Sequence, residues 1–175
     1  MLKALRPLAT FIEGAIDRIG GFTAWIALVM IGLVATNVLL RYAFSFGSVW
    51  AQELEWHLLA ALILLGMAHA LQRGENVRVD LFYNRYSPRT KRVVDVISAL
   101  LLITVSLLFI WLSLGYVEQS RSISEASPDP GGIPLRWLVK ALIPLGYGLL
   151  VLQQLAQLLR LLDTPLQTAT ESSHV

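Results

Sequence analysis

Residues 37–80, NVLLRYAFSFGSVWAQELEWHLLAALILLGMAHALQRGENVRVD, decide how this chain is read. The stretch leaves one apolar run through Arg41-Tyr42, turns, and re-enters another at Trp50-Ala51-Gln52-Glu53-Leu54. It emerges through Gly66-Met67-Ala68-His69-Ala70-Leu71 to Val77-Arg78-Val79-Asp80. Most ionisable side chains that border or enter apolar runs lie here. A charge at the centre of a bilayer costs about 3 kcal/mol or more, so it marks a partner, a pathway or a structural pair.

The second apolar run, from Val49 to Leu71, carries Glu53, Glu55, His57 and His69, and only residues 58–68 are free of ionisable groups. Eleven residues are too few to cross a hydrocarbon core of about 30 Å, so the helix begins with its acidic turn inside the interface and keeps those groups against protein or water. At about 100° per residue, Trp50, Glu53 and His57 share one face, and Glu55, Leu62, Gly66 and His69 lie roughly opposite. Polar groups on two faces predict a helix enclosed by others. Gly66 and Ala70 form a small-xxx-small pair that permits close helix approach.

Outward from this run, the whole composition agrees. A chain of 175 residues with 55% hydrophobic residues, 15% charged and a mean hydropathy of +0.62 exceeds what a soluble surface tolerates. The expected fold class is all-α: an integral membrane protein with four transmembrane helices and interfacial amphipathic segments. The absence of cysteine excludes thiolate-held clusters, thiolate zinc sites and disulfides.

Residues 19–40 and 96–117 are charge-free runs of 22 residues, and residues 141–159 are charge-free as well. Spans are expected over about 19–41, 49–71, 93–117 and 135–160. Residues 1–18 place Leu5, Leu8, Ile12 and Ile16 at helical spacing against Lys3, Arg6, Glu13 and Asp17. They read as an amphipathic segment on the membrane surface running into the first span. A secretory signal is the competing reading, opposed by the two acids in what would be its basic region. Asn37 and Arg41, four apart, share a face near the end of the first span; Arg41 is either an interfacial anchor or half of an ion pair.

The connector 72–92 is dense in Arg and Lys and interleaved with Val, Leu, Phe and Tyr, which suits an interfacial segment against anionic lipid headgroups, with Arg85 and Arg89 as anchors and Ser87-Pro88 as the break before the third span. A nucleic-acid groove is disfavoured by a net charge of only +2. Ser98, Thr104, Ser106 and Ser113 are hydroxyls of the kind found at helix contacts. The loop 118–134 holds three prolines and the pair Gly131-Gly132, so its shape is set locally; Glu125, Pro128, Asp129 and Pro130 make it a candidate docking surface, with a plain connector as the alternative. Pro144, Gly146 and Gly148 are expected to loosen the last span, and Gln153 and Gln157 to bridge to another helix. Residues 164–175 read as a polar tail.

Ten of the 14 Lys and Arg residues fall on the side of the termini and the second connector, and four fall opposite, so both termini are expected in the cytoplasm. Enzymatic chemistry has no support in the sequence: there is no phosphate loop, no Gly-x-Ser-x-Gly and no Cys. His57 and His69 suggest a haem-binding or assembly subunit of a membrane redox complex as an alternative. Twelve residues apart on one helix, about 18 Å, they cannot ligate one iron together. Glu53 and His57 lack a third ligand for a metal.

The order Asn37-x-x-x-Arg41-Tyr42, Trp50-x-x-Glu53-Leu54, Gly66-x-Ala68-x-Ala70 and Arg73-Gly74-x-x-Val77-x-Val79-Asp80 resembles the small integral-membrane subunit (DctQ type) of tripartite ATP-independent periplasmic (TRAP) transporters, over about residues 20–160. Asn76 stands where many of that family have His. The resemblance implies a bacterial inner-membrane protein without catalytic residues, cofactor or metal. A periplasmic solute-binding protein would deliver solute to a large many-helix permease subunit that moves by a sodium-coupled elevator, while the small subunit stays put as a brace. On that reading Asn37, Arg41, Glu53, His57, Gly66 and Asp80 fix subunit packing, and Tyr42 and Trp50 sit at the outer interface.

Overall fold

The computed structural model describes residues 6–74, 83 and 86–163. Asp80 and Arg85 lie outside the described residues. Four helices run in the order α1 (Arg6–Phe44), α2 (Val49–Arg73), α3 (Pro88–Ser122) and α4 (Trp137–Asp163), with no strand among the described residues. Each is long and apolar enough to cross a membrane.

Local chemistry sets the helix ends. Ser48 caps α2 by accepting from the Ala51 amide at 3.3 Å, and Gly74, at φ 73°, closes it by donating to the Ala70 and Leu71 carbonyls. Ser87 caps α3 by accepting from the Thr90 amide at 3.2 Å, and Pro88 occupies the first turn, where its missing N–H costs nothing. The last helix starts at Trp137, three residues after Pro134, because Leu135 adopts φ 64° and the Arg136 amide turns back to the Glu125 carbonyl at 3.1 Å. It then continues through Pro144. The segment 6–18 is continuous with the first span in a single helix of 39 residues, about 58 Å long.

α1 and α2 form an antiparallel pair joined by a tight turn over residues 45–48. Down its length Asn37 meets Glu55, Thr23 faces Gly66, Gly20 takes His69, and Asp17 meets Arg73. The other side of α2 rests on α4, and where the N-terminal part of α1, the C-terminal part of α2 and the middle of α4 meet, Ile16, Ala68 and Leu150 make the buried core, with Ile12, Met67, Leu71 and Tyr147 around it. Among the glycines of the helices, the most crowded are Gly20, where a Cβ would run into the His69 ring, and Gly146, where it would meet the Leu64 backbone. At Gly66 a Cβ would touch Thr23 at 3.8 Å, an ordinary contact.

Among the described residues, α3 packs extensively only on α4. Its buried residues are Ala99, Ser106, Ser113 and Ser120, a strict seven-residue repeat of small side chains that keeps one narrow seam against the partner helix. On the α4 side Gln153, Gln154 and Ala156 are buried, and the Phe109 and Tyr147 rings stack at 4.8 Å. Ser98 and Thr104 face outward, while Gln157 is half-buried. In the most apolar stretch of each helix, between 6% (α2) and 22% (α4) of residues are buried within the chain, so most of the apolar surface faces lipid or another subunit. The enclosure expected for α2 comes from two neighbours, α1 and α4, and leaves Trp56, Leu59 and Ile63 exposed between them.

Candidate functional site: a loop gathered on Glu53

Glu53 sits in the second turn of α2 and is only 5% exposed. Its partners arrive from the α3–α4 loop. Oε1 accepts a hydrogen bond from the Ser127 hydroxyl, Oε2 accepts from the Ile133 amide at 2.5 Å, and the Arg136 guanidinium lies 3.9 Å from Oε1. A charged acceptor bound by several donors is a strong organising element for a loop that lacks a hydrophobic core of its own.

The loop is folded to fit that acceptor. The Ser127 amide donates to the Ile133 carbonyl at 3.3 Å, and the Gly132 amide donates to the Asp129 carbonyl at 3.0 Å. Ser127 Oγ, besides donating to Glu53, accepts from the Asp129 amide at 3.1 Å. Gly131 holds φ 82°, and Gly132 packs so closely that a Cβ there would strike Ser127 and approach Glu53 Oε2 to 2.7 Å. Pro128, Asp129 and Pro130 are thereby presented on the outside of the turn, all exposed. Glu125 turns inward, where it pairs with Lys140 of α4. The Lys140 ammonium bonded to it, with the Arg136 charge close by, holds the Glu125 carboxyl below the ordinary value of 4.5.

Beneath the loop the two cations lie against aromatic rings. Lys140 Nζ is 4.0 Å from the Tyr116 ring centroid and Arg136 is 5.3 Å from that of Trp56, so α2, α3 and α4 are all tied to the loop base. A cleft of about 330 Å³ opens among Trp56, Leu64, Tyr116, Lys140 and Ile143. Its cations already face Glu53 and Glu125, so its charge is balanced within the chain.

The other residues singled out in the sequence are distributed around this centre. His57 Nδ1 lies 2.6 Å from the Glu53 carbonyl, an acceptor, which puts the ring proton on Nδ1; its Nε2 is buried without a partner among the described residues, and the Trp56 ring lies 4.1 Å away. Asn37 donates to Glu55 Oε1 at 3.0 Å, on the opposite side of α2 from Glu53. Arg41 is exposed and forms no ion pair among the described residues. Tyr42 and Trp50 are exposed near the tip of the α1–α2 hairpin, and Arg89 is exposed in the first turn of α3. Among the described residues no three of His, Cys, Asp and Glu come together in a metal-ligand arrangement. His69 lies instead in the Gly20 notch, with Nδ1 3.7 Å from Asp17.

A second polar cluster, which sequence reasoning did not single out, closes the opposite end. Glu13 pairs with Arg160, Asp17 pairs with Arg73 at 2.6 Å, and Gln72 Nε2 donates to the Glu13 carbonyl at 3.0 Å. The signal was available: Glu13 and Asp17 are four apart on α1, and Arg73 and Arg160 each occupy the last turn of their helix.

A family model described as "Tripartite ATP-independent periplasmic transporters, DctQ component" matches residues 30–164, which include the far part of α1 and all of α2, the loop and α4. A "Putative TRAP transporter small permease protein" of Haemophilus influenzae (strain ATCC 51907 / DSM 11121 / KW20 / Rd) is 29% identical over 127 residues, covering 73% of this chain and 76% of that protein. The "Sialic acid TRAP transporter permease protein SiaT" of Haemophilus influenzae (strain 86-028NP) is 26% identical over 125 residues, 70% of this chain but 19% of SiaT, so the chain spans about a fifth of that relative's length. Four membrane-crossing helices and a family match across most of the chain make this protein a member of the DctQ component family, the small permease subunits of TRAP transporters.

Proposed function

We propose that this chain is the small membrane subunit of an ion-coupled TRAP-type solute transporter in the bacterial inner membrane, where it braces a large many-helix permease subunit. Sodium is the coupling ion on this reading, and the chain binds neither solute nor ion itself. The observation that carries the proposal is the membership in the small-permease family combined with a bundle that buries so little of its own apolar surface. An element that must stay still while a neighbour moves needs interfacial anchors and a large face for that neighbour. Both termini are cytoplasmic, in keeping with the ten-to-four distribution of Lys and Arg, and the basic connector meets anionic headgroups. The α3–α4 loop then faces the periplasm, and its exposed Pro128-Asp129-Pro130 turn, shaped by Glu53, helps to dock the solute-binding protein.

The test is purification of the tagged chain from its native host in a mild detergent, with mass identification of co-purifying proteins and a visible spectrum of the same sample. A stoichiometric many-helix permease and a flat spectrum are expected. A Soret band, or a soluble dehydrogenase in place of the permease, would overturn the reading in favour of a redox subunit. For the loop, scrambling residues 125–132 should weaken binding of the solute-binding protein while leaving permease association intact; unchanged affinity would remove the docking role.

A further inference from the structure

Glu53 and Glu55 are two residues apart on α2 and are treated in opposite ways. Glu53 receives a hydroxyl, an amide and a guanidinium. Glu55 has one hydrogen-bond partner among the described residues, the neutral side-chain amide of Asn37, although a carboxyl group offers about four acceptor sites. It lies about 9 Å along α2 from Val49, within the span expected over residues 49–71, and its side chain is half-buried. Arg41, one turn beyond Asn37 on the same helix face, is exposed and makes no ion pair among the described residues, so it does not neutralise Glu55.

The surface beside this pair is open. α1 and α2 are antiparallel, so residues advancing in the same angular sense from Asn37 and from Glu55 emerge on the same side of the hairpin. Those residues are Val34 (38% exposed) and Val38 (47%) on α1, and Leu59 (44%) and Ile63 (58%) on α2. An acidic group with unfilled acceptor sites thus sits at the edge of an apolar strip at membrane depth. Lipid tails cannot supply a donor there, whereas a transmembrane helix carrying Arg, Lys or an amide can.

We infer that this face of the α1–α2 hairpin docks a transmembrane helix of the large permease subunit, which delivers a cationic or amide donor to Glu55 and packs its apolar side chains on Val34, Val38, Leu59 and Ile63. The inference rests on the brace reading above and adds where the permease binds and through which chemistry.

A photo-activatable phenylalanine derivative placed at position 63, and separately at position 111 on the outward face of α3, where Trp111 is 71% exposed, would be irradiated in native membranes containing the whole complex. Cross-links to the permease from position 63 and not from position 111 are expected; the reverse pattern would overturn the inference. In parallel, Glu55→Leu should lower co-purified permease by roughly fivefold and Glu55→Gln by less, because the amide keeps one acceptor. Undiminished permease recovery with Glu55→Leu would likewise overturn it. The cross-linking arm leaves Glu55 untouched and is immune to misfolding of the variants. If the unaltered chain recovers no permease at all, the brace reading itself fails; if it does and position 63 stays silent, only the docking face is lost.

Discussion

At one end of the bundle a single acid that is 5% exposed gathers a hydroxyl, a backbone amide and a guanidinium from the far-off loop between α3 and α4, the amide 80 residues away in sequence. At the other end two acids on α1 meet Arg73 and Arg160, both more than half exposed, across the ends of three helices. The same ionic chemistry is put to different uses. The first cluster is enclosed, and removing the acid strands the Ser127 hydroxyl and the Ile133 amide, so it dictates the conformation of a loop. The second is open to water and screened by salt, so it adds little energy and its strength comes from the packing beneath it, at Gly20 and the Ile16–Ala68–Leu150 core.

The enclosed end is most vulnerable at Gly132. With Ser127 and Glu53 occupying the space a side chain would need, Gly132→Leu should expel the loop from α2 and speed protease cleavage within residues 123–136 by roughly tenfold or more, with helical circular dichroism unchanged. If cleavage stays slow, the loop is not held as described. Glu53→Ala comes next. It strands the Ile133 amide and the Ser127 hydroxyl, and cleavage should rise by roughly threefold to tenfold.

At the opposite end, Gly20→Ala should cost about 1–3 kcal/mol in reversible unfolding in mixed micelles, because the His69 ring must move. A neutral result would mean that the notch relaxes freely. A smaller effect is expected from acid. The folded-state pKa of Glu125 lies below 4.5, so its contribution is fully present above pH 4.5 and fades as the pH falls through the lower folded value. Protease sensitivity of the loop should therefore rise only below pH 4.5, and Lys140→Met should flatten that dependence. The smallest change belongs to Arg160→Ala, an exposed pair worth about 0–1 kcal/mol and less in high salt; a larger, salt-independent loss would erase the contrast between the two ends.

The four helices were legible because long charge-free runs have few alternatives, and their caps were legible at Ser87-Pro88. Glu53 stood out as an acid in an apolar run. Its partners did not, because a serine, a backbone amide and a glycine in an aperiodic loop carry no pattern that points to a helix so far away in sequence. Gly66 drew attention through its spacing with Ala70, yet the helix glycines with no room for a Cβ are Gly20 and Gly146, since crossing points depend on how whole helices lean. Ser106 and Ser113 were readable as contact hydroxyls, whereas the seven-residue register that joins them to Ala99 and Ser120 emerges only once α4 is in place.

The polar ties on α2 also have a mechanical meaning. Glu53 ties one end of the helix to the loop, and at the other Arg73 meets Asp17 in water, so the charged ends of the helix lie twenty residues and roughly 30 Å apart, about the thickness of a hydrocarbon core. A helix does not stretch, so this interval sets the bilayer thickness that α2 matches without mismatch. In a thicker membrane the lipid must thin around the protein or the bundle must tilt. Reconstitution across a series of acyl-chain lengths should therefore have an optimum set by α2, even though α1 is much longer.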